Sequence, residues 1–216
     1  MATARTAIVL FGGTFDPPTR AHHAVAAAAI ANCDANGSKS RLVLIPTARS
    51  PHKASGPVAS DSARVRLLRK AFEDFEGVEI WETELKRPPP SYFIDTVREA
   101  RARWPEVALR FVIGGDQLLS LHRWKDAPEL LELARPIIVP RVPHDRDALR
   151  EELQRLGVWR EPNTFDSEIL DLPPDGTNAS AVRAALARGD DATAAVSLGP
   201  AVLRLAQELG LYRASK

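Results

Sequence analysis

Hydrophobic positions along the chain come in short runs that alternate with longer stretches of helical spacing, the signature of strands and helices in turn. An apolar run from Ala7 to Phe11 leads, after a polar turn, to an alanine-rich helix from Ala21 to Ala31, and the run Arg41 to Ile45 completes a βαβ unit. The stretch 47–60 is rich in proline, serine and glycine and reads as a long loop. Ser60 and Asp61 cap a predicted helix reaching about Asp74, with Val65, Leu68 and Phe72 inward and its arginines in water. Val78 to Trp81 reads as a short strand, and Glu84 to Pro90 as a rigid excursion that its prolines keep from continuing it. Ser91 and Tyr92 open a helix to about Trp104, followed by a buried strand at Leu109 to Ile113. Next come a helix from Asp126 or Ala127 to Ala134, a strand at Ile137 to Val139 and a charged amphipathic helix from Asp145 to Leu156. A last strand at Ser167 to Leu172, a helix starting at Thr177 to Arg183, and a helix from Ala201 to Leu209 ending at Gly210 complete the pattern. The fold this predicts is α/β: a doubly wound, Rossmann-like parallel sheet with helices on both faces, one domain over residues 1–216.

Composition narrows the class without changing that picture. Hydrophobic residues make up 44% and charged residues 26% of the 216, ordinary globular usage. Lys and Arg total 29 against 28 Asp and Glu, so the net charge of +1 supplies no field for a long polyanion, and nucleic acid is not expected as a partner. No apolar run approaches the roughly 18 residues of a spanning helix, so no membrane association is expected. Cys33 is the lone cysteine, which rules out an internal disulfide framework or a multi-cysteine metal site and fits a reducing cytoplasm. In or just after an alanine-rich helix, its thiol reads as buried packing rather than as a nucleophile.

The chemistry concentrates at strand ends. Gly12 and Gly13 end the first strand, so backbone can approach a ligand closely, and the helix that follows aims unpaired N–H groups and its positive dipole end at the same place. Thr19 and His22, three residues apart in the first turn of that helix, share a face and can both reach an anion there. The same residues also read as a plain strand-ending turn with a capping histidine. The dinucleotide fingerprint G-x-G-x-x-G is absent, and Pro17-Pro18 fits it poorly, which disfavours a Rossmann dehydrogenase. His52-Lys53 put positive charge in the loop after the second strand. Gly114-Gly115-Asp116 repeats the glycine turn, with a carboxylate placed to meet a ribose or to cap the next helix. Trp124, in a short connector, either stacks on a flat ligand or packs. Thr177, Asn178 and Ser180, with Arg183 one turn on, form a second possible phosphate cradle or an ordinary capped helix.

Taken in order, these segments resemble the nucleotidyltransferases of the T/H-x-G-H superfamily, specifically bacterial nicotinate-nucleotide adenylyltransferase. Phe11 to Pro17 is similar to that family's opening, Pro51-His52-Lys53 to its basic loop, and Glu84 to Arg87 with Ser91-Tyr92 to its substrate-selecting region. Phe111 to Leu118, Trp124, the segment Ser180 to Arg183 and the ending Gly210-Leu211-Tyr212 continue the likeness. The signature reads Thr19-Arg20-Ala21-His22, with Thr where this branch normally has His and Ala where it has Gly; Phe93 replaces a polar residue common after the Ser-Tyr pair.

What the resemblance implies is transfer of AMP from ATP to nicotinate mononucleotide, giving nicotinate adenine dinucleotide and pyrophosphate on the route to NAD. His22, Thr19 and Arg183 would be catalytic. Gly12, Gly13, Thr14, Phe15, Lys53, Gly114, Asp116 and Ser180 would bind ATP, and Ser91, Tyr92 and Trp124 the nicotinate nucleotide. Mg2+ would enter on the ATP phosphates, held by phosphate and water. Rival readings are a phosphopantetheine adenylyltransferase, for which Thr19 speaks, a preference for nicotinamide mononucleotide, and a catalytically silent nucleotide-binding module.

Overall fold

The computed structural model describes residues 7–34, 39–48, 56–88, 90–157, 165, 168–173 and 178–214. Five strands form one sheet: β1 (Ala7–Gly13), β2 (Arg41–Pro46), β3 (Val78–Ile80), β4 (Ala108–Gly114) and β5 (Arg135–Val139), in the order β3-β2-β1-β4-β5. β4 lies parallel to both β1 and β5, with Ile8 opposite Leu109 and Val112 opposite Ile137. That is the strand order of a doubly wound sheet. β1 is buried from Ala7 to Phe11 and β2 from Leu42 to Pro46, the continuous apolar run of a sheet covered on both faces. The expected last strand at Ser167 to Leu172 is reduced to an isolated parallel bridge, Ile169 to Ile138, with residues 166 and 167 outside the described set.

The chain divides into two compact units, residues 1–11, 26–43 and 92–176, and residues 12–25, 44–91 and 177–216. The first carries most of α1 (Arg20–Asp34), α4 (Phe93–Arg103), α5 (Gly115–Leu118), α6 (Ala127–Leu133) and α7 (Arg146–Leu156). Asp145 caps α7, accepting from the Ala148 amide at 2.9 Å, and Leu149 and Leu153 face inward one turn apart. Cys33 is half-buried, and burial pushes its thiol pKa up, the reverse of what a nucleophile needs.

The second unit holds α2 (Asp61–Ala71), α3 (Thr83–Lys86), α8 (Ala179–Ala187), α9 (Asp191–Leu198) and α10 (Pro200–Glu208). Ala63 and Leu67 of α2 pack with Val182 and Leu186 of α8, Leu198 of α9, Val202 of α10 and Tyr212. Each such aliphatic side chain contributes about 1.5–3 kcal/mol when fully buried. The excursion expected after β3 contains the short helix α3, whose Glu84 is buried, before the prolines end it. α9 is a further departure from the sequence reading. Its eight residues lie between Gly189 and Gly199, both at positive φ, and Asp190 caps it by accepting from the Thr193 amide at 3.1 Å.

Candidate active site

The turn after β1 is assembled within the second unit. Gly13 is tied by its carbonyl to the Thr47 amide at 2.9 Å, and the chain then bends at Phe15, whose φ of 47° lies in the left-handed region. The Phe15 ring is buried against Gly13: a Cβ there would stand 2.9 Å from its tip, so the sequence needs glycine at 13 for the ring to sit as it does. Asp16 follows, nearly fully buried, its peptide to Pro17 cis. A buried carboxylate survives only when its lone pairs are used. Here they accept from the Val58 amide at 2.7 Å, the Ala59 amide at 3.2 Å and the Tyr212 hydroxyl at 2.7 Å.

Thr19 and His22 meet as the signature spacing predicts. The Thr19 carbonyl accepts from the His22 and His23 amides, opening α1, while the Thr19 amide donates to His22 Nδ1 at 3.0 Å. The imidazole thus fills the place that Glu or Gln takes in a capping box. An amide can only donate, so Nδ1 is an acceptor and the proton of the neutral ring sits on Nε2. The Thr19 hydroxyl also reaches Nδ1, at 2.8 Å. Phe15 meets the same ring edge-on, with centroids 5.1 Å apart at 60°. Capping and anion binding, open alternatives in the sequence, are therefore compatible, because capping uses Nδ1 alone.

Arg183, one turn into α8, donates from Nη1 to the Asp16 carbonyl at 2.6 Å and from Nη2 to Ser180 Oγ at 3.0 Å. Asn178 caps α8, accepting from the Ala181 amide at 2.7 Å. The structure thus joins Gly13, Phe15, Thr19, His22, Ser180 and Arg183 into one contact network, with Gly12 and Thr14 in the same turn. Lys53, with Pro51 and His52, and Thr177 lie outside the described residues. Ser91 is buried in this unit with the Arg87 guanidinium donating to its hydroxyl at 3.3 Å.

One sequence expectation fails here. The arginines of α2 do not all face water: Arg66 and Arg69 do, but Arg64 is fully buried. It lies one turn before Leu68, on the apolar stripe, and its guanidinium finds the Thr14 carbonyl at 2.6 Å and the Asp61 carboxylate at 2.7 Å. That stripe position is the signal that could have found it.

The other predicted residues lie in the first unit, Gly114 and Asp116 at the end of β4 and Tyr92 and Trp124 in separate contacts. A Cβ at Gly114 would fall 2.5 Å from Oδ1 of the exposed Asp116 and 3.4 Å from the Arg141 side chain, so a larger residue there would turn the Asp116 carboxylate aside. Asp116 is exposed in the first turn of α5 and does not cap it; Gly114 stands at the cap position. α5 has only four residues, so the dipole logic of the first turn is not repeated there. Arg141, two residues past β5, is a basic group the sequence reading did not single out. Trp124, half-buried after a 3-10 turn at Leu121–Arg123, meets Phe93 edge-on with centroids 6.3 Å apart, and Phe93 in turn meets Phe111 of β4 at 5.7 Å. Phe93, the departure from the family pattern, is thus the ring that joins Trp124 to the sheet. The Lys125 ammonium lies 4.6 Å over the Tyr92 ring.

A family model described as cytidylyltransferase-like matches residues 10–183, from the end of β1 to Arg183. The chain belongs to this cytidylyltransferase-like family. Among its relatives, the probable nicotinate-nucleotide adenylyltransferase of Chromobacterium violaceum is 34% identical over 94% of this chain and 97% of its own length. That of Methylacidiphilum infernorum is 35% identical over 75% and 78%. The solved nicotinic acid mononucleotide adenylyltransferase of Plasmodium falciparum, complexed with NaAD, superposes with a TM-score of 0.70 at 15% identity, covering 96% of this chain and 97% of that one. This likeness supports the cytidylyltransferase-like fold itself.

Proposed function

We infer that this protein is a nicotinate-nucleotide adenylyltransferase, joining AMP from ATP to nicotinate mononucleotide and releasing pyrophosphate in NAD biosynthesis. Likeness at about one residue in three, 34%, over nearly the full length of a relative of that name supports the substrate pair. The observation in the site that carries the chemistry is His22, whose Nδ1 accepts from the Thr19 amide, which fixes the ring's orientation and puts the proton of the neutral imidazole on Nε2.

The reaction forms a bond between the 5′-phosphate oxygen of nicotinate mononucleotide and the α-phosphorus of ATP, and breaks the bond from that phosphorus to the bridging oxygen of pyrophosphate. The nucleophile is an anion near neutral pH, so the site needs alignment and charge stabilisation rather than a strong base. His22 Nε2–H donates to the α-phosphate as charge builds there. Thr19, with its amide and hydroxyl turned to Nδ1, acts on His22 and not directly on phosphate. Arg183 stabilises the departing phosphates: the guanidinium has five N–H groups, and its bonds to Asp16 and Ser180 set its plane. Backbone of Gly12 to Phe15 approaches the ATP phosphates. Gly114, Asp116 and the basic Arg141 meet the sugar-phosphate portions of the nucleotides, and Trp124, with Tyr92, meets the pyridine ring. Ser91, whose hydroxyl accepts from Arg87, belongs with the nicotinate-nucleotide residues in this reading. Mg2+ brought in on ATP would supply charge neutralisation of the triphosphate and would be held by phosphate oxygens and water, since the Asp16 carboxylate beside the turn is already used by two amides and a phenol. The cytoplasm, where these nucleotides are found, is the compartment this reading implies; among the described residues no helix is long and apolar enough to cross a membrane.

The test is pyrophosphate release with ATP and Mg2+ in the presence of nicotinate mononucleotide, nicotinamide mononucleotide or phosphopantetheine. Turnover chiefly with the first supports the assignment. Turnover chiefly with another acceptor would replace it, and ATP binding without turnover on any would leave a nucleotide-binding module.

A further inference from the structure

Phe15 is a bulky residue held at positive φ, and the carbonyls of the residues on either side of it, Thr14 and Asp16, are pinned by buried or half-buried donors. Thr14 O accepts from Arg64 Nη1 at 2.6 Å, and Asp16 O accepts from Arg183 Nη1 at 2.6 Å. The Asp16 side chain is fixed in its turn by the 58–59 backbone and by the Tyr212 hydroxyl. None of this is cheap. Arg64 is fully buried with its Nε lacking a hydrogen-bond partner, and an aliphatic side chain would fill that space without desolvating a charge. What only the guanidinium supplies is a pair of donors, one to the Asp61 carboxylate in its own helix and one to Thr14 O, the contact that reaches the bend. Tyr212 lies in the apolar cluster of α2, α8, α9 and α10, where phenylalanine would pack as well; what it adds is a donor to Asp16. Burial, and then the Asp16 carboxylate, push the Tyr212 pKa up, so the phenol stays a donor at any working pH.

We propose that Arg64 and Tyr212 are positioning residues for adenylyl transfer, holding the bend Thr14-Phe15-Asp16 so that Phe15 sets the His22 ring and the Asp16 carbonyl sets the Arg183 guanidinium. The link to His22 is the edge contact at 5.1 Å, and the link to Arg183 is the 2.6 Å hydrogen bond. The proposal rests on the reading of His22 and Arg183 as the groups that meet the ATP phosphates. It gives a task to a tyrosine near the carboxyl end of the chain, far in sequence from the signature, and to an arginine that touches no substrate.

The experiment uses the full chain with Tyr212→Phe, Arg64→Met and Arg64→Lys. For each, kcat, the KM values for ATP and nicotinate mononucleotide, and the thermal midpoint are measured, together with calorimetric binding of a non-hydrolysable ATP analogue. A displacement of a few tenths of an ångström to 1 Å at reacting groups is worth about 10- to 100-fold. The expected result is a kcat lower by about 10-fold in Tyr212→Phe and more in Arg64→Met, with KM for nicotinate mononucleotide within about twofold and part of the loss restored in Arg64→Lys. Wild-type kcat in folded Tyr212→Phe overturns the proposal, as does a fall in kcat matched by an equal rise in KM for nicotinate mononucleotide. Should Arg64→Met not fold, Tyr212→Phe decides. If the wild type itself shows no turnover, the functional reading fails separately. The analogue then tests the bend: several-fold weaker binding in Tyr212→Phe supports positioning, and unchanged affinity overturns it.

Discussion

The turn after β1 and the end of β4 are both glycine ends of strands leading into a helix, yet they are built on opposite plans. After β1 the polar groups are held before any substrate arrives: His22 by Thr19, Arg183 by Asp16 and Ser180, Asp16 by Tyr212 and two amides. The following helix α1 runs for 15 residues, long enough to present a full dipole. After β4 the helix has four residues, Asp116 is exposed, and the rings of Trp124, Phe93 and Phe111 meet edge-on or tilted, contacts set by apolar area. Stabilising charge in a transition state rewards groups that need not reorganise, which is what the first turn provides. Recognising a flat ring rewards apolar area and tolerates adjustment, which Phe93 and Trp124 would provide under the proposed function.

Perturbing the first turn should therefore strike rate, and perturbing the second should strike affinity. His22→Ala removes the fixed donor and is expected to lower kcat about 100- to 1,000-fold, the usual cost of one such group. Gly13→Ala puts a Cβ 2.9 Å from the buried Phe15 ring, which shifts the ring that sets His22; a fall in kcat of about tenfold, with the protein still folded by circular dichroism, is the expected outcome. Trp124→Ala gives up one aromatic contact of about 0.5–1.5 kcal/mol, which should appear as a 2- to 12-fold rise in KM for nicotinate mononucleotide with kcat little changed.

The smallest effect lies away from both turns, where Arg98 bonds Glu129 and Asp126 on the surface. The hydrogen bond from Arg98 holds the Glu129 carboxyl below the usual carboxylate range. A lowered folded pKa contributes stability above the ordinary value and loses it as pH falls through the lowered one. The thermal midpoint of the wild type should accordingly exceed that of Glu129→Gln slightly at neutral pH, and the gap should close on acidification. Salt should shrink it too, because the pair is exposed.

Much of this division is legible in the sequence. The strands at Ala7, Arg41, Leu109 and Ile137, the Ser60 and Asp145 caps, and the Thr19-His22 pair follow from periodicity and capping chemistry, which are local. What periodicity misses is set by long-range partners. Arg64 occupies a helix position that faces the core, but an arginine reads as solvated until the Thr14 carbonyl, fifty residues back, is seen beside it. Tyr212 reads only as part of the ending Gly210-Leu211-Tyr212, past the last helix, until Asp16, 196 residues away, is seen to need its hydroxyl. α9 escapes because an alanine-rich octapeptide between two glycines carries little amphipathic signal, and Glu84 because the prolines that follow mask a single helical turn. The lesson is specific to buried polar groups: their partners, and hence their purpose, are tertiary.

Steady-state kinetics of His22→Ala and Trp124→Ala, measured side by side with ATP, Mg2+ and nicotinate mononucleotide, test the division of labour most directly. The account predicts a kcat loss of about 100-fold or more with near-normal KM in the first, and a raised KM with near-normal kcat in the second. A His22→Ala protein that keeps its kcat and loses only affinity would contradict it.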